Sequence, residues 1–173
     1  MSSEVIKGKV LVVGDNIDTD LIVPGKYLTL KEASDLGKHV LEGLDPSIPD
    51  KIEKEGIRVI VAGRNFGCGS SREHAVLAII GAGIKAVVAE SFARIFYRNA
   101  INRGLIVIEA KGLRNKVRDG DIITIDLDKH SITIPTGEEV SFKPLPEEVM
   151  KIIKAGGLIE YLKKQKETKE ATR

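Results

Sequence analysis

Four short runs of mostly β-branched apolar residues recur through the first two thirds of the chain: KVLVVG (9–14), IRVIVAG (57–63), KAVVAE (85–90) and LIVIEA (105–110). None alternates apolar with polar, so each predicts a strand buried on both faces that feeds a loop. Between them, REHAVLAIIGAG (72–83) and FARIFYRNAINRG (92–104) have helical spacing. Ala75, Leu77, Ala78 and Ile79 mark an apolar stretch in the first. Phe92, Ile95, Phe96 and Asn99 form the expected face of the second, and Gly83 and Gly104 suit the helix ends. Strands alternating with helices predict a largely parallel sheet.

The last third changes period. DIITIDLDKHSITIPTGEEVSF (121–142) alternates with a period of two and breaks at turn residues, which predicts a hairpin turning near Asp128 and Lys129 and a third strand after PTGEE. PEEVMKIIKAGG (146–157) reads as a helix with Pro at its start, glutamates in the first turn and Gly at its end. The charged tail from residue 164 onward is expected to fray, leaving one domain over residues 1–163. The segment from Gly14 to Leu30 is the one long loop, and long loops in compact domains often carry function.

Composition removes several classes of protein. The chain has 173 residues, 42% of them apolar, and a formal net charge of +2, which gives no electrostatic case for nucleic acid. Charged residues make up 30%, with aromatics at 4% and no Trp, a composition of thermophilic type. One cysteine, Cys68, rules out an internal disulfide and cannot alone hold a structural zinc or an iron–sulfur cluster. MSSEVIKGKVLVVGDN lacks a signal-peptide pattern and no run is long enough to span a bilayer, so a cytoplasmic location is expected.

The chemistry concentrates in GRNFGCGSSREHA (63–75). A glycine-rich turn between strand and helix offers backbone N–H groups to an anion, but the P-loop lysine is missing, and Arg72 stands where a dinucleotide fingerprint needs its third glycine. Cys68 as a nucleophile with His74 as base is a second reading; a small cysteine packed under the loop is the plainer one. Ser70 followed by Glu73 has the spacing of a capping box, which would make Ser70 the cap of a helix starting near Ser71. That accounts for Ser70 and Glu73 but not for Ser71 and Arg72. Two hydroxyls and a guanidinium at a helix start describe a site for an organic carboxylate. A second cluster, Asp15, Asp18, Thr19 and Asp20, follows the first strand. Its spacing fails the EF-hand pattern, and turn chemistry is the structural alternative.

GDNIDTDLIVPGKYL (14–28) together with GRNFGCGSSREHAVLAIIGAGIKAVVAESFARIFYRNAINRGL (63–105) resembles the small subunits of 3-isopropylmalate dehydratase and homoaconitase and the swivelling domain of aconitase. The resemblance covers most of residues 7–110. It implies a three-layer β/β/α swivelling domain with a central, largely parallel sheet and a smaller antiparallel one. It further implies a hydro-lyase that removes water from a 2-hydroxy di- or tricarboxylic acid and adds it back in the other sense. The cofactor so implied, a [4Fe-4S] cluster, sits in a partner large subunit, in a heterodimer or heterotetramer, with no cofactor or metal bound by this chain.

Matched residue by residue, the resemblance gives Ser70 the role of the catalytic base, Ser71 and Arg72 the grip on a substrate carboxylate, and Thr19 and Asp20 places in the active site. It also points to Leu28, Thr29 and Leu30 as a specificity loop. Relatives acting on an extra carboxylate tend to carry arginine where Thr29 stands, so an apolar substrate group and hence 2-isopropylmalate are expected, with homocitrate-type and citramalate-type acids as alternatives. A carboxylate-binding module and an RNA-binding surface built on Arg94, Arg98 and Arg103 are the non-enzymatic alternatives. Net charge and the few aromatics speak against RNA.

Overall fold

The computed structural model describes residues 5–70 and 72–171. Its strands are β1 (Val5–Val12), β2 (Ile57–Ala62), β3 (Ala86–Ala89), β4 (Ile106–Glu109), β5 (Ile122–Asp126), β6 (Ser131–Thr133) and β7 (Glu139–Ser141). Its α-helices are α1 (Thr19–Ile22), α2 (Ala33–Gly37), α3 (Ile48–Glu55), α4 (Glu73–Gly81), α5 (Arg94–Asn102), α6 (Glu147–Ala155) and α7 (Leu158–Ala171).

All seven strands join one mixed sheet in the order β4-β3-β2-β1-β5-β6-β7. The parallel half is β1 to β4, and the antiparallel half is β5 to β7. β1 serves both. Its residues 5–9 pair antiparallel with β5, its residues 9–12 pair parallel with β2, and the register with β2 shifts between Lys9 and Val10. The parallel and antiparallel sheets expected from the period change are therefore halves of one continuous sheet.

Side-chain alternation sorts the strands onto two cores. Leu11, Ile60, Val87 and Val107 face a helical layer, where they pack with Ile52 of α3, Val76 and Ile79 of α4 and Phe96 of α5. Val10, Val59, Val61 and Val88 face the other way and pack with Ile123, Ile125, Ile132 and Phe142 from the antiparallel half. The sheet curls so that its second half covers the outer face of its first. This is the three-layer β/β/α arrangement, and it explains why β2 and β3 are apolar almost throughout.

In the first third of the chain two adjoining stretches differ from the sequence pattern. The segment from Gly14 to Leu30 is not an open loop: it holds α1 and a 3-10 turn at Gly25–Tyr27. Asp18 caps α1 by accepting from the Leu21 N–H at 2.8 Å, a local bond that apolar periodicity does not register. Residues 31–56, for which the pattern gives no element, contain α2 and α3. At the other end, α7 is helical through Ala171, with its side chains beyond Tyr161 exposed.

α2 and α4 approach closely through two glycines. A Cβ on Gly81 would lie 1.8 Å from the Ala33 carbonyl oxygen, and one on Gly37 would lie 2.4 Å from the Gly81 carbonyl carbon. No side chain moves to relieve such a clash, because the opposing atoms are backbone. Gly81→Ala should lower unfolding free energy by about 1–3 kcal/mol, as overpacking of a tight contact does. Urea denaturation would read this as a lower midpoint at unchanged slope; an unchanged midpoint would contradict the close approach.

Candidate active site

The loops that leave β1, β2 and β3 at their carboxyl ends are laced together by backbone hydrogen bonds, at the end of a parallel sheet where ligands commonly bind. Gly63 N–H donates to the Gly14 carbonyl at 3.1 Å, Asn16 N–H to Arg64 at 2.8 Å, Gly67 N–H to Ile17 at 2.8 Å and Thr19 N–H to Cys68 at 2.9 Å. On the other side Phe66 N–H donates to Ser91 at 3.1 Å and Ala93 N–H to Phe66 at 3.0 Å. The loop 63–70 is thus held between its two neighbours, much as β2 is.

Gly67 makes that position possible. Its φ is +83°, and a Cβ there would lie 2.2 Å from Cγ of the Phe96 ring. The ring stacks with Phe92 and meets Phe66 edge-on at 5.3 Å, an aromatic cluster that fixes α5 against the loop.

Thr19 is 3% exposed, the one buried polar side chain among the described residues. Its hydroxyl donates to the Ser70 carbonyl at 2.9 Å and lies 3.5 Å from Ser70 Oγ. Burial makes that bond costly to lose, so Thr19 ties the first acidic cluster to the serine. Arg72, its side chain 24% exposed, forms an ion pair with Asp20, which is 65% exposed. The pair is a charge contact and not an aligned hydrogen bond.

Thr19, Ser70 and Arg72 line one cavity of about 200 Å³, closed on the far side by Arg94, Ile95 and Asn99 of α5. Sequence reasoning placed Thr19, Asp20, Ser70 and Arg72 in one site, and the fold brings these four together. Ser71 lies outside the described residues.

The capping-box expectation is corrected. Helix α4 begins at Glu73 with Arg72 in the cap position, extended at φ −126°, and no side chain caps it. Glu73 turns instead to Arg103, at 3.0 Å. Ser70 therefore does not cap α4, whose cap position is taken by Arg72.

The remaining acids also sort. Asp15 accepts from the Arg64 N–H at 2.8 Å and pairs with Arg114 at 3.4 Å, while Asp18 caps α1, so both serve the loops.

The proposed specificity loop points elsewhere. Leu28 and Leu30 pack against the helical-side core, Thr29 is exposed, and none of the three lines the cavity. Tyr27 fixes this orientation, stacking on His39 at 3.7 Å and donating to Glu42 at 2.6 Å.

The face expected for α5 was misphased as well: Phe96, Ala100 and Ile101 are buried, but Ile95 is 55% exposed at the cavity rim. Sequence reasoning missed Ile95 and Asn99 as cavity residues, because an isoleucine at helical spacing reads as core. Arg94 and Arg98 are exposed, whereas Arg103 pairs with Glu73, so the three arginines do not form the continuous basic stripe that an RNA surface needs.

Comparison with known proteins decides the family. The profile described as the Aconitase C-terminal domain matches residues 38–112. The chain is 52% identical over 163 residues to the 3-isopropylmalate dehydratase small subunit 1 of Methanopyrus kandleri, covering 94% of this chain and 95% of that one. It is 54% identical over 159 residues to the 3-isopropylmalate dehydratase small subunit of Pyrobaculum aerophilum, covering 91% and 97%.

The chain belongs to the 3-isopropylmalate dehydratase small-subunit family. The isopropylmalate/citramalate isomerase small subunit of Methanocaldococcus jannaschii is 51% identical over 162 residues, covering 93% of this chain and 95% of that one. The crystal structure of 3-isopropylmalate dehydratase from the same organism superposes with a TM-score of 0.91 at 49% identity, covering 98% of this chain and 100% of that one.

This small-subunit chain does not fit an iron–sulfur cluster. Such clusters need several thiolates, and Cys68 is its one cysteine. Burial, with Asp18's charge adding to it, pushes the Cys68 thiol above its usual pKa, which disfavours thiolate. Cys68 is accordingly a packed residue and not an activated nucleophile. A raised pKa leaves less thiolate at any pH below it, so iodoacetamide should modify Cys68 more slowly at pH 8 than it modifies free cysteine. A rate faster than free cysteine would restore the nucleophile reading.

Proposed function

We propose that this chain is the small subunit of a 3-isopropylmalate dehydratase, converting 2-isopropylmalate to 3-isopropylmalate by dehydration and rehydration. The observation that carries the proposal is the meeting of Ser70, Thr19 and Arg72 on one small cavity, with Asp20 paired to Arg72, in a chain about half identical to proteins of that name. Residues 1–163 are the catalytic swivelling domain in this reading, and a cytoplasmic biosynthetic enzyme is the setting.

Arg72 takes one substrate carboxylate. Its planar guanidinium suits a two-point grip, and a substrate carboxylate replacing the exposed Asp20 would leave the half-buried guanidinium paired. Ser71 is assigned a second bond to the same carboxylate.

Ser70 Oγ removes the proton from the carbon next to a carboxylate, while the hydroxyl leaves the neighbouring carbon. The same oxygen returns a proton when water adds back in the other sense. A serine oxygen is a weak base, so its charged form needs nearby donors and cations; the Arg72 guanidinium on the same cavity would supply the positive charge, while Thr19, whose hydroxyl donates to the Ser70 carbonyl, holds the serine's backbone.

Departure of the hydroxyl needs a Lewis acid, which a [4Fe-4S] cluster held by a large subunit would supply, in a heterodimer or heterotetramer.

The substrate choice rests on the relatives named for 3-isopropylmalate. The loop 28–30 does not line the cavity in this chain, and a distal carboxylate brought to it in an assembly would find no cation at Thr29. Lys26 is engaged over the Tyr27 ring, 5.2 Å from its centroid. An isopropyl group needs only apolar surface. Citramalate is a plausible second substrate, since the Methanocaldococcus jannaschii relative carries that name.

The test is to combine this chain with its iron-loaded large subunit without oxygen and compare 2-isopropylmalate, citramalate and homocitrate-pathway acids. Turnover in the mixture alone, fastest on 2-isopropylmalate, is expected. Preference for a homocitrate-type acid would overturn the substrate, and no turnover on any would leave a carboxylate-binding module.

A further inference from the structure

Beside the cavity at Ser70 lies a larger groove, of about 630 Å³, between α5 and the segment 143–152. Its floor is apolar, from Tyr97, Val149 and Ile152, and Pro144 and Pro146 stiffen one wall. Its rim is basic: Arg94, Arg98 and Lys143 line it, with Glu109 the one acid among its lining residues. None of the three cations has an ion-pair partner among the described residues. Lys51 with Asp119 and Lys116 with Glu138 are among the cations that do pair elsewhere on this surface.

The groove and the catalytic cavity share a wall. Arg94 lines both, and the next residue, Ile95, stands exposed at the cavity rim. Whatever covers the cavity during turnover must therefore lie across the first turn of α5, at the mouth of the groove. An apolar floor, a basic rim and an exposed isoleucine between the two describe a surface made to be covered by protein.

We infer that this groove docks the large subunit, through a segment of that chain with apolar side chains for the floor and carboxylates for Arg94, Arg98 and Lys143. The inference rests on the reading of this chain as a small subunit and goes beyond it by placing the partner. Charge complementarity would steer the large subunit onto α5, and the same docking would close the cavity over Ser70 and Arg72.

The test uses residues that line the groove and not the cavity. In the double variant Arg98→Glu, Lys143→Glu, the concentration of iron-loaded large subunit giving half-maximal turnover should rise about tenfold or more, since like charges then face each other. Turnover at saturating large subunit should stay near wild type. In the wild-type chain, addition of the large subunit should slow amide hydrogen exchange in residues 94–102 and 147–155, a readout that needs no variant.

An unchanged half-saturation in a folded double variant, or unprotected amides in the assembled complex, would overturn the inference. So would self-association of the isolated chain that the double variant abolishes, because a second copy would then be the occupant. Sedimentation of the mixture reports docking without substrate, so it separates failure of this inference from failure of the assigned reaction.

Discussion

The site depends on hydrogen bonds that continue strand pairing past the ends of the strands. Beyond β1, β2 and β3 the chain no longer has sheet geometry, yet Gly67 still donates to Ile17, Thr19 to Cys68 and Ala93 to Phe66. These bonds carry the neighbour relations of the parallel sheet into the loops. They bring residues some fifty positions apart, Thr19 and Ser70, to 3.5 Å. A loop held on both sides also loses less entropy when a substrate arrives, which favours a preformed grip.

Much of the scaffold was legible because buried parallel strands are written plainly. β2 and β3 are apolar almost throughout because a helical layer covers one face and the curled half of the sheet the other, and no other element of this length needs that composition. The period change at residue 121 likewise announced the antiparallel half. Period alone could not show that β1 bridges the halves, since that depends on which strands take its two edges, β2 on one and β5 on the other, and not on composition.

The site was legible as residue types, less so as geometry. Ser70 at capping-box spacing from Glu73 looked like a helix cap, but Glu73 is drawn 30 residues along the chain to Arg103, and the helix starts later. The acids after β1 looked like one cluster and have three separate tasks. Ile95 looked like core because exposure at a cavity rim and burial against a sheet use the same residue. Leu28 and Leu30 looked like a lining and are held toward the core by Tyr27, through a stack and a hydrogen bond with residues 12 and 15 positions on.

The chemistry is divided between two chains in this account: proton transfer and carboxylate binding here, hydroxyl departure in the partner. The claim at its centre is that Ser70 Oγ moves the proton. Ser70→Ala, assembled with the iron-loaded large subunit, measures it most directly. Turnover should fall by about 10²–10⁴, the range for loss of a proton-transfer group, while the large-subunit concentration needed for half-maximal turnover stays as in wild type. Turnover within a few-fold of wild type would contradict the account, because the proton would then have another acceptor.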